Sequence, residues 1–242
     1  MFRFRELNAL VRRAFSLLRT EGLISLFRHT GSFAAFLGSR VFLSRTVYLY
    51  EHSLVPRERS RFLPRLDSWE VRVLHSNEEA ERVAAEGFED IRDAFVFARR
   101  SLETGAVAFC VYSGTELVHV GWLAVDARGR TAVDRIPFDV AFDAGQACTG
   151  GTYTKPAFRG KGLMAYGYFE RFEYLRARGF TTSRNSVEVD NVSSHKAHAK
   201  FNPTIYGVGR YRRILGRTYW RVEALPGGPC RGMPPDRPGG GG

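Results

Sequence analysis

Cysteine is scarce in this chain. Cys110, Cys148 and Cys230 are the only three in 242 residues, and none stands in a Cys-x-x-Cys pair or at a Cys/His ligand spacing. That pattern argues against a disulfide framework and a structural metal, and it fits a reducing compartment. Cys110 and Cys148 fall in apolar, strand-like runs, where a free thiol behaves as a small hydrophobe. Lysine is nearly as rare: of 36 basic residues only Lys155, Lys161, Lys196 and Lys200 are not arginine. Long apolar runs are missing too. None approaches the ~20 residues that span a bilayer. The N-terminus has Arg3 and Arg5 but no apolar stretch of ~7–15 residues before a small-residue cleavage site. The expected location is the cytoplasm.

Charge is abundant and unevenly placed. The formal net charge is +11. Residues 1–66 hold twelve Arg against four acidic residues, a net of +8, and the remainder carries only +3. Any electrostatic partner is therefore expected near the N-terminus. Residues 1–67 read as a basic amphipathic helical extension and linker. Leu7, Leu10, Val11, Ala14 and Leu18 form one apolar stripe, with Arg5, Arg12 and Arg19 on another face. Thr46–Leu54 alternates like a strand, and Pro56, Arg57, Arg59, Arg61, Pro64 and Arg65 mark a linker. Residues 1–30 suit a helix packed on its own domain or one lying on a membrane surface, which would make the protein peripheral there. Nucleic acid is not an expected partner, because the arginines alternate with Leu, Phe and Val and no binding motif accompanies them.

From residue 68 to 225 the texture is that of one α+β domain, a mixed central sheet flanked by helices. Trp69, Val71 and Val73 alternate as a strand. Ser76 reads as an N-cap, with Glu78 and Glu79 in the first turn of a helix that leads into a second one ending near Thr104. Strands follow over 106–112 and 117–125, joined by a hairpin turn at 113–116. Residues 126–147 form a polar excursion with a short strand at 138–142. Strand 148–154, helix 162–178, strand 182–189, helix 192–200 and two final strands complete the order. The tail 226–242 is rich in Pro and Gly and is expected to be unstructured.

The chemistry is concentrated at Arg159-Gly160-Lys161-Gly162-Leu163-Met164. A strand ends at Thr154, Pro156 opens a tight turn, and a helix starts at Gly162. Two glycines let the backbone turn sharply with several N–H groups unpaired, and unpaired N–H groups at a helix N-terminus form an anion site suited to a pyrophosphate. Arg159 and Lys161 add charge. Neither a P-loop nor a GxGxxG fingerprint is present.

This segment resembles the GNAT superfamily of N-acyltransferases, in which a strand, a [QR]-x-x-G-x-[GA] turn and a helix grip the CoA pyrophosphate. A second landmark of that family, an Asn opening the next helix with a small residue and a Lys after it, is matched by Asn191, Ser194 and Lys200. The likeness covers the element order from Ser68 to Leu225. It implies acetyl-CoA or another acyl-CoA as co-substrate, no metal, and a small-molecule amine or amino-sugar acceptor that attacks the thioester directly. Cofactor contacts are implied for Thr152, Tyr153, Thr154, Arg159, Gly160, Lys161, Gly162, Leu163, Met164, Ala165, Asn191 and Ser194. The backbone near Thr152–Thr154 would polarise the thioester carbonyl.

Three positions depart from the family pattern. Met164 stands where a small residue is usual, Asn202-Pro203 replaces Gly-Phe, and His198 stands where many relatives carry a Tyr that protonates the leaving thiolate. His198 is either that acid or a helix-face residue beside His195. Glu188 and Asp190 are candidate bases or helix-capping carboxylates. His119 and Trp122 are expected in the core or lining an acceptor pocket, which the family builds from 76–104 and 126–147. Every landmark lies after Ser68, so residues before Arg65 are expected to be dispensable for thioester chemistry.

Overall fold

The computed structural model describes residues 42–225 and 227–233. The amphipathic stretch within 1–30 therefore lies outside the described residues. The chain sorts into two compact units. In its described part the smaller comprises 42–45 and the hairpin tip 211–219; the larger runs from Thr46 to Arg210 and resumes at Trp220.

The order is β1 (Phe42–Ser53), a 3-10 turn (Arg59–Phe62), β2 (Glu70–Leu74), α1 (Asn77–Ala85), α2 (Ile91–Ala94), α3 (Ala98–Glu103), β3 (Val107–Ser113), β4 (Glu116–Ala124), α4 (Ala127–Val133), β5 (Gln146–Thr154), α5 (Leu163–Ala177), β6 (Thr182–Glu188), α6 (Val192–Ala199), β7 (Thr204–Ile214), β8 (Arg217–Glu223) and β9 (Cys230–Arg231). The result is a mixed α+β architecture with one sheet in the order β2-β3-β4-β5-β6-β1-β7-β8, and β9 pairs with β7 off that path. None of the described helices is long and apolar enough to cross a membrane.

Local rules account for the helix starts. The Ser76 hydroxyl accepts from the Glu79 N–H, Asp90 from Arg92 and Asp126 from Gly129, so three short helices open on side-chain caps. Strands β3 and β4 are buried almost end to end, and α5 packs Ala165, Phe169, Phe172 and Leu175 into the same core as Phe109 and Leu123.

Three expectations change. First, the strand assigned to an N-terminal extension lies inside the sheet: β1 runs antiparallel to β6 from Val47↔Glu188 to Ser53↔Thr182. Val47, Tyr48, Leu49 and Tyr50 are all buried, the run expected of a strand covered on both faces. The supposed linker packs as well. Phe62 stacks on Phe169 and Phe201 at 5.1 and 4.7 Å between centroids, and an Arg57 N–H donates to the Phe201 carbonyl. Residues 46–67 therefore belong to the same compact unit as residues 68–210. Secondly, 126–147 holds α4 and a 3-10 turn (Phe142–Ala144) instead of a strand at 138–142. The Arg130 guanidinium gathers the carbonyls of Asp134, Ile136 and Phe138 and curls the segment around itself. Thirdly, the described part of the tail, 227–233, holds a strand, β9. Cys230 and Arg231 pair with Ile205 and Thr204, and Cys230 packs against the Tyr48–Ile205 cluster.

Candidate functional site

Strands β5 and β6 are parallel neighbours only from Gln146↔Thr182 to Cys148↔Arg184. Beyond that point β5 continues to Thr154 and β6 to Glu188 without pairing to each other, so the sheet opens there. On its other edge β5 carries a bulge. Val120 pairs with Tyr153 and Trp122 with Gly150, so three steps on β5 oppose two on β4 and strand β5 bends. The free end of β5 lines a cleft of about 580 Å³.

Residues from three elements line it. Thr152, Tyr153 and Thr154 come from the end of β5; Arg159, Gly160, Gly162, Leu163, Met164 and Ala165 come from the turn and the start of α5. Asn191, Ser193, Lys196, Ala197 and Lys200 come from α6 and its ends. The α5 terminus is built to leave donors free. Its N-cap, Gly162, has φ of 87° and no side chain to accept from the first turn, so the leading N–H groups lack protein partners of the usual kind. A side chain at that φ would be strained, and its Cβ would approach the Pro64 Cα at 3.8 Å. From behind, the Arg65 N–H donates to the Lys161 carbonyl and the Arg65 guanidinium to the Gly160 carbonyl. Segment 63–65 thus holds the turn in place. Arg159, Lys196 and Lys200 bring three cationic side chains to a rim where the helix dipole already favours an anion. A phosphate group suits this chemistry.

Of the residues implied for the cofactor, all but Lys161 and Ser194 line the cleft. The Lys161 ammonium lies over the Phe158 ring, 5.2 Å from its centroid, while Phe158 itself lines the cleft. Ser194 is buried, and its N–H donates to Asn191 Oδ1, which caps α6. Met164 is partly buried against the Leu54–Phe201 cluster. Glu188 at the end of β6 and Asp190 just beyond it, before Asn191, are both exposed.

His198 is in the core. It is fully buried, and both ring nitrogens are engaged, Nδ1 with His52 Nε2 at 3.0 Å and Nε2 with Asn185 Nδ2 at 3.2 Å. Tyr168, Tyr50 and His52 surround the ring at 4.4, 5.1 and 5.0 Å. Burial, with His52 and Arg171 adding repulsion, holds the imidazole neutral well below its ordinary pKa. It lines no part of the cleft, so the general-acid assignment is withdrawn. Helix phase explains the error. Ser193, Lys196, Ala197 and Lys200 occupy i, i+3, i+4 and i+7 on the cleft face, which leaves Ser194, His195 and His198 on the core face. His195 is buried too, with Nδ1 2.7 Å from the Tyr50 hydroxyl. His198→Ala should therefore cost ~2–4 kcal/mol of stability and lower Tm by roughly 5–15 °C. Ligand affinity in the cleft should change little. An unchanged Tm with a ~100-fold loss of turnover would restore the acid role.

His119 is likewise buried, its Nδ1 2.8 Å from the Thr154 hydroxyl, and Trp122 is in the core. Among the described residues no group of three or more His, Cys, Asp or Glu is disposed to hold a metal ion.

No protein-family profile matches the chain, and no curated protein matches it. Solved structures do. A Drosophila protein is similar over 79% of this chain and 58% of its own, at 12% identity and a TM-score of 0.44. A GCN5-related N-acetyltransferase from Sphaerobacter thermophilus is similar over 67% of this chain and 49% of its own, at 13% identity and a TM-score of 0.39. An acetyltransferase described as of the GNAT family, from Novosphingobium aromaticivorans, is similar over 76% and 68%, at 13% identity and a TM-score of 0.42. The chain spans less than two thirds of the length of the Drosophila and Sphaerobacter structures. Several of the solved structures similar to this chain are thus GCN5-related N-acetyltransferases.

Proposed function

We propose that the cleft between β5 and α6 binds an acyl-CoA and that the chain transfers the acyl group to an amine. The observation that carries this reading is the coincidence of two features at one cleft. An uncapped helix N-terminus with cationic side chains on its rim meets a strand whose backbone is bent away from its neighbour. The first suits a pyrophosphate, the second a pantetheine arm and a thioester carbonyl. The motif likeness over 159–164 and 191–200 supports the same reading.

In this mechanism the pyrophosphate rests on the N–H groups of residues 162–165, flanked by Arg159, Lys196 and Lys200. Backbone N–H groups of Thr152–Thr154 hold the thioester oxygen, and their fixed position stabilises the charge that develops there when the amine attacks. Glu188 or Asp190, at the β6 end beside Asn191, takes the proton from the amine directly or through water. With His198 sealed in the core, the departing thiolate takes its proton from solvent. The acceptor is a small amine or amino sugar.

Calorimetry with CoA tests the reading. A Gly160→Asp, Gly162→Asp chain should lose ~100-fold or more in affinity, because two carboxylates would face the phosphates. At Gly160 an added Cβ meets nothing within 4 Å, so the cost of that change is the backbone strain of a φ of 77°. A Lys196→Glu, Lys200→Glu chain, altered only at positions on the wet face of α6, should lose ~10-fold or more. Unchanged affinity in folded variants, or no CoA binding by the unaltered chain, would overturn the proposal.

A further inference from the structure

Arg171 is the largest fully buried side chain in the described residues, and it sits beneath the bulge of β5. Its Nε donates to the Gly167 carbonyl one turn back on α5 at 2.9 Å. One terminal nitrogen donates to the Trp122 carbonyl of β4 at 3.0 Å and to the Gly150 carbonyl of β5 at 3.3 Å. The other reaches the Thr152 hydroxyl at 3.4 Å. The guanidinium therefore bridges β4 and β5 at the one place where their register slips, between Val120/Tyr153 and Trp122/Gly150. Residue 121 has to be glycine for this to happen, since a Cβ there would stand 2.6 Å from the guanidinium carbon.

No acidic side chain pairs with this guanidinium among the described residues; its nearest ring is Tyr168, whose centroid lies 4.0 Å from the guanidinium carbon. An arginine stays charged at any ordinary pH, and burying an unpaired charge costs several kcal/mol. The other titratable side chains near it do not offset that charge. The buried imidazoles of His52, His119 and His198 are all held neutral, with repulsion from Arg171 among the causes. A full positive charge thus lies behind the strand whose other edge opens on the cleft.

We propose that Arg171 is a positioning residue of the thioester site. It pins the β4–β5 bulge so that the N–H groups on the unpaired edge of the Thr152–Thr154 stretch, that of Thr154 among them, point into the cleft, and its field favours negative charge on the oxygen they hold. The inference rests on the acyl-CoA reading above.

The test uses acetyl-CoA labelled with ¹³C at the acetyl carbonyl, so no acceptor is needed. Bound to the unaltered chain, the carbonyl resonance should move downfield of its position in free acetyl-CoA, as a polarised carbonyl does. In Arg171→Met at least half of that displacement should disappear while CoA itself binds within ~3-fold of the unaltered affinity. Arg171→Lys, which keeps the charge but cannot span both strand carbonyls, should recover part of it. Where the Met variant fails to fold, Arg171→Lys and Gly121→Ala, which displaces the guanidinium by contact, should each reduce the displacement. A folded variant set that keeps the full displacement overturns the role of Arg171 and leaves the acyl-CoA reading standing, as does a bound but undisplaced carbonyl in the unaltered chain. Equal losses of CoA and acetyl-CoA affinity alongside a fall in Tm would show a purely structural role and overturn it too. Absence of any CoA binding by the unaltered chain overturns both.

Discussion

A chain that begins at Arg65 should neither melt cooperatively nor bind CoA, although every recognisable motif lies after that point. Its missing strand, β1, sits between β6 and β7 in the sheet order and makes seven registered pairs with β6. Leu49 and Tyr50 are completely buried, and Val47 and Tyr48 nearly so. Each buried side chain of this size contributes ~1.5–3 kcal/mol, so four of them rival the ~5–15 kcal/mol that holds a whole domain together. The truncation also removes Leu63 and Pro64, which stand behind Gly162, and the Phe62 ring between Phe169 and Phe201. Circular dichroism and urea titration of the truncated chain provide the measurement. A full-length Leu49→Pro chain places the loss on β1 itself, because proline removes a ladder hydrogen bond from an interior strand. A truncated chain with an intact cooperative transition and full-length CoA affinity would contradict the sheet order.

The same strand shows where reading the chain stops. Local chemistry was legible: Ser76 caps a helix, Gly162 opens another, and Asn191 caps a third through its side chain. Each depends on residues within about four positions of one another. The insertion of β1 between two strands that come more than a hundred residues later depends on long-range pairing, and nothing in Thr46–Leu54 specifies a partner. The assignment at His198 failed for a related reason. The seven-residue spacing from Asn191 was no guide to the face, because Asn191 is the N-cap, outside the helical turns, and lines the cleft while His198 faces the core. Which side meets the cleft is decided by what α6 packs against, here Tyr50, His52 and Tyr168. The lysines carried the better signal, since Lys196 and Lys200 mark the wet face. Arg171 had no signal of its own, since the same helix also carries Glu170, Glu173 and Arg176. Its role emerges only once two strand carbonyls from 49 and 21 residues away converge on it.

Mild acid should unfold the protein, with most of its stability lost between about pH 6.5 and pH 5. Burial pushes His52 and His119 down to about 3 from an ordinary value of 6.5 and holds His198 well below it. In the unfolded chain these imidazoles take up protons as pH falls through 6.5, whereas the folded chain refuses them. Their stabilisation is therefore complete above 6.5 and declines as pH drops towards the folded values. At about pH 5 His52 and His119 have each given up ~2 kcal/mol, and His198 and His195, whose pKa burial also lowers, add to that loss. Asp134 works the other way: burial raises its pKa, so its protonation favours the folded state on acidification and offsets part of the loss. The carboxylates of Glu79 and Asp90, held low by partners, act only in a more acidic window below their unfolded values. Urea midpoints measured from about pH 7.5 to pH 5 should fall with a limiting slope of at least two protons, ~3 kcal/mol per pH unit or more. His52→Gln keeps a polar group beside His198 but cannot take up a proton, and it should flatten the slope by about one proton. A stability curve flat over that range, or a slope that His52→Gln leaves unaltered, would mean that these histidines are solvated and that the packing drawn around His198 is wrong.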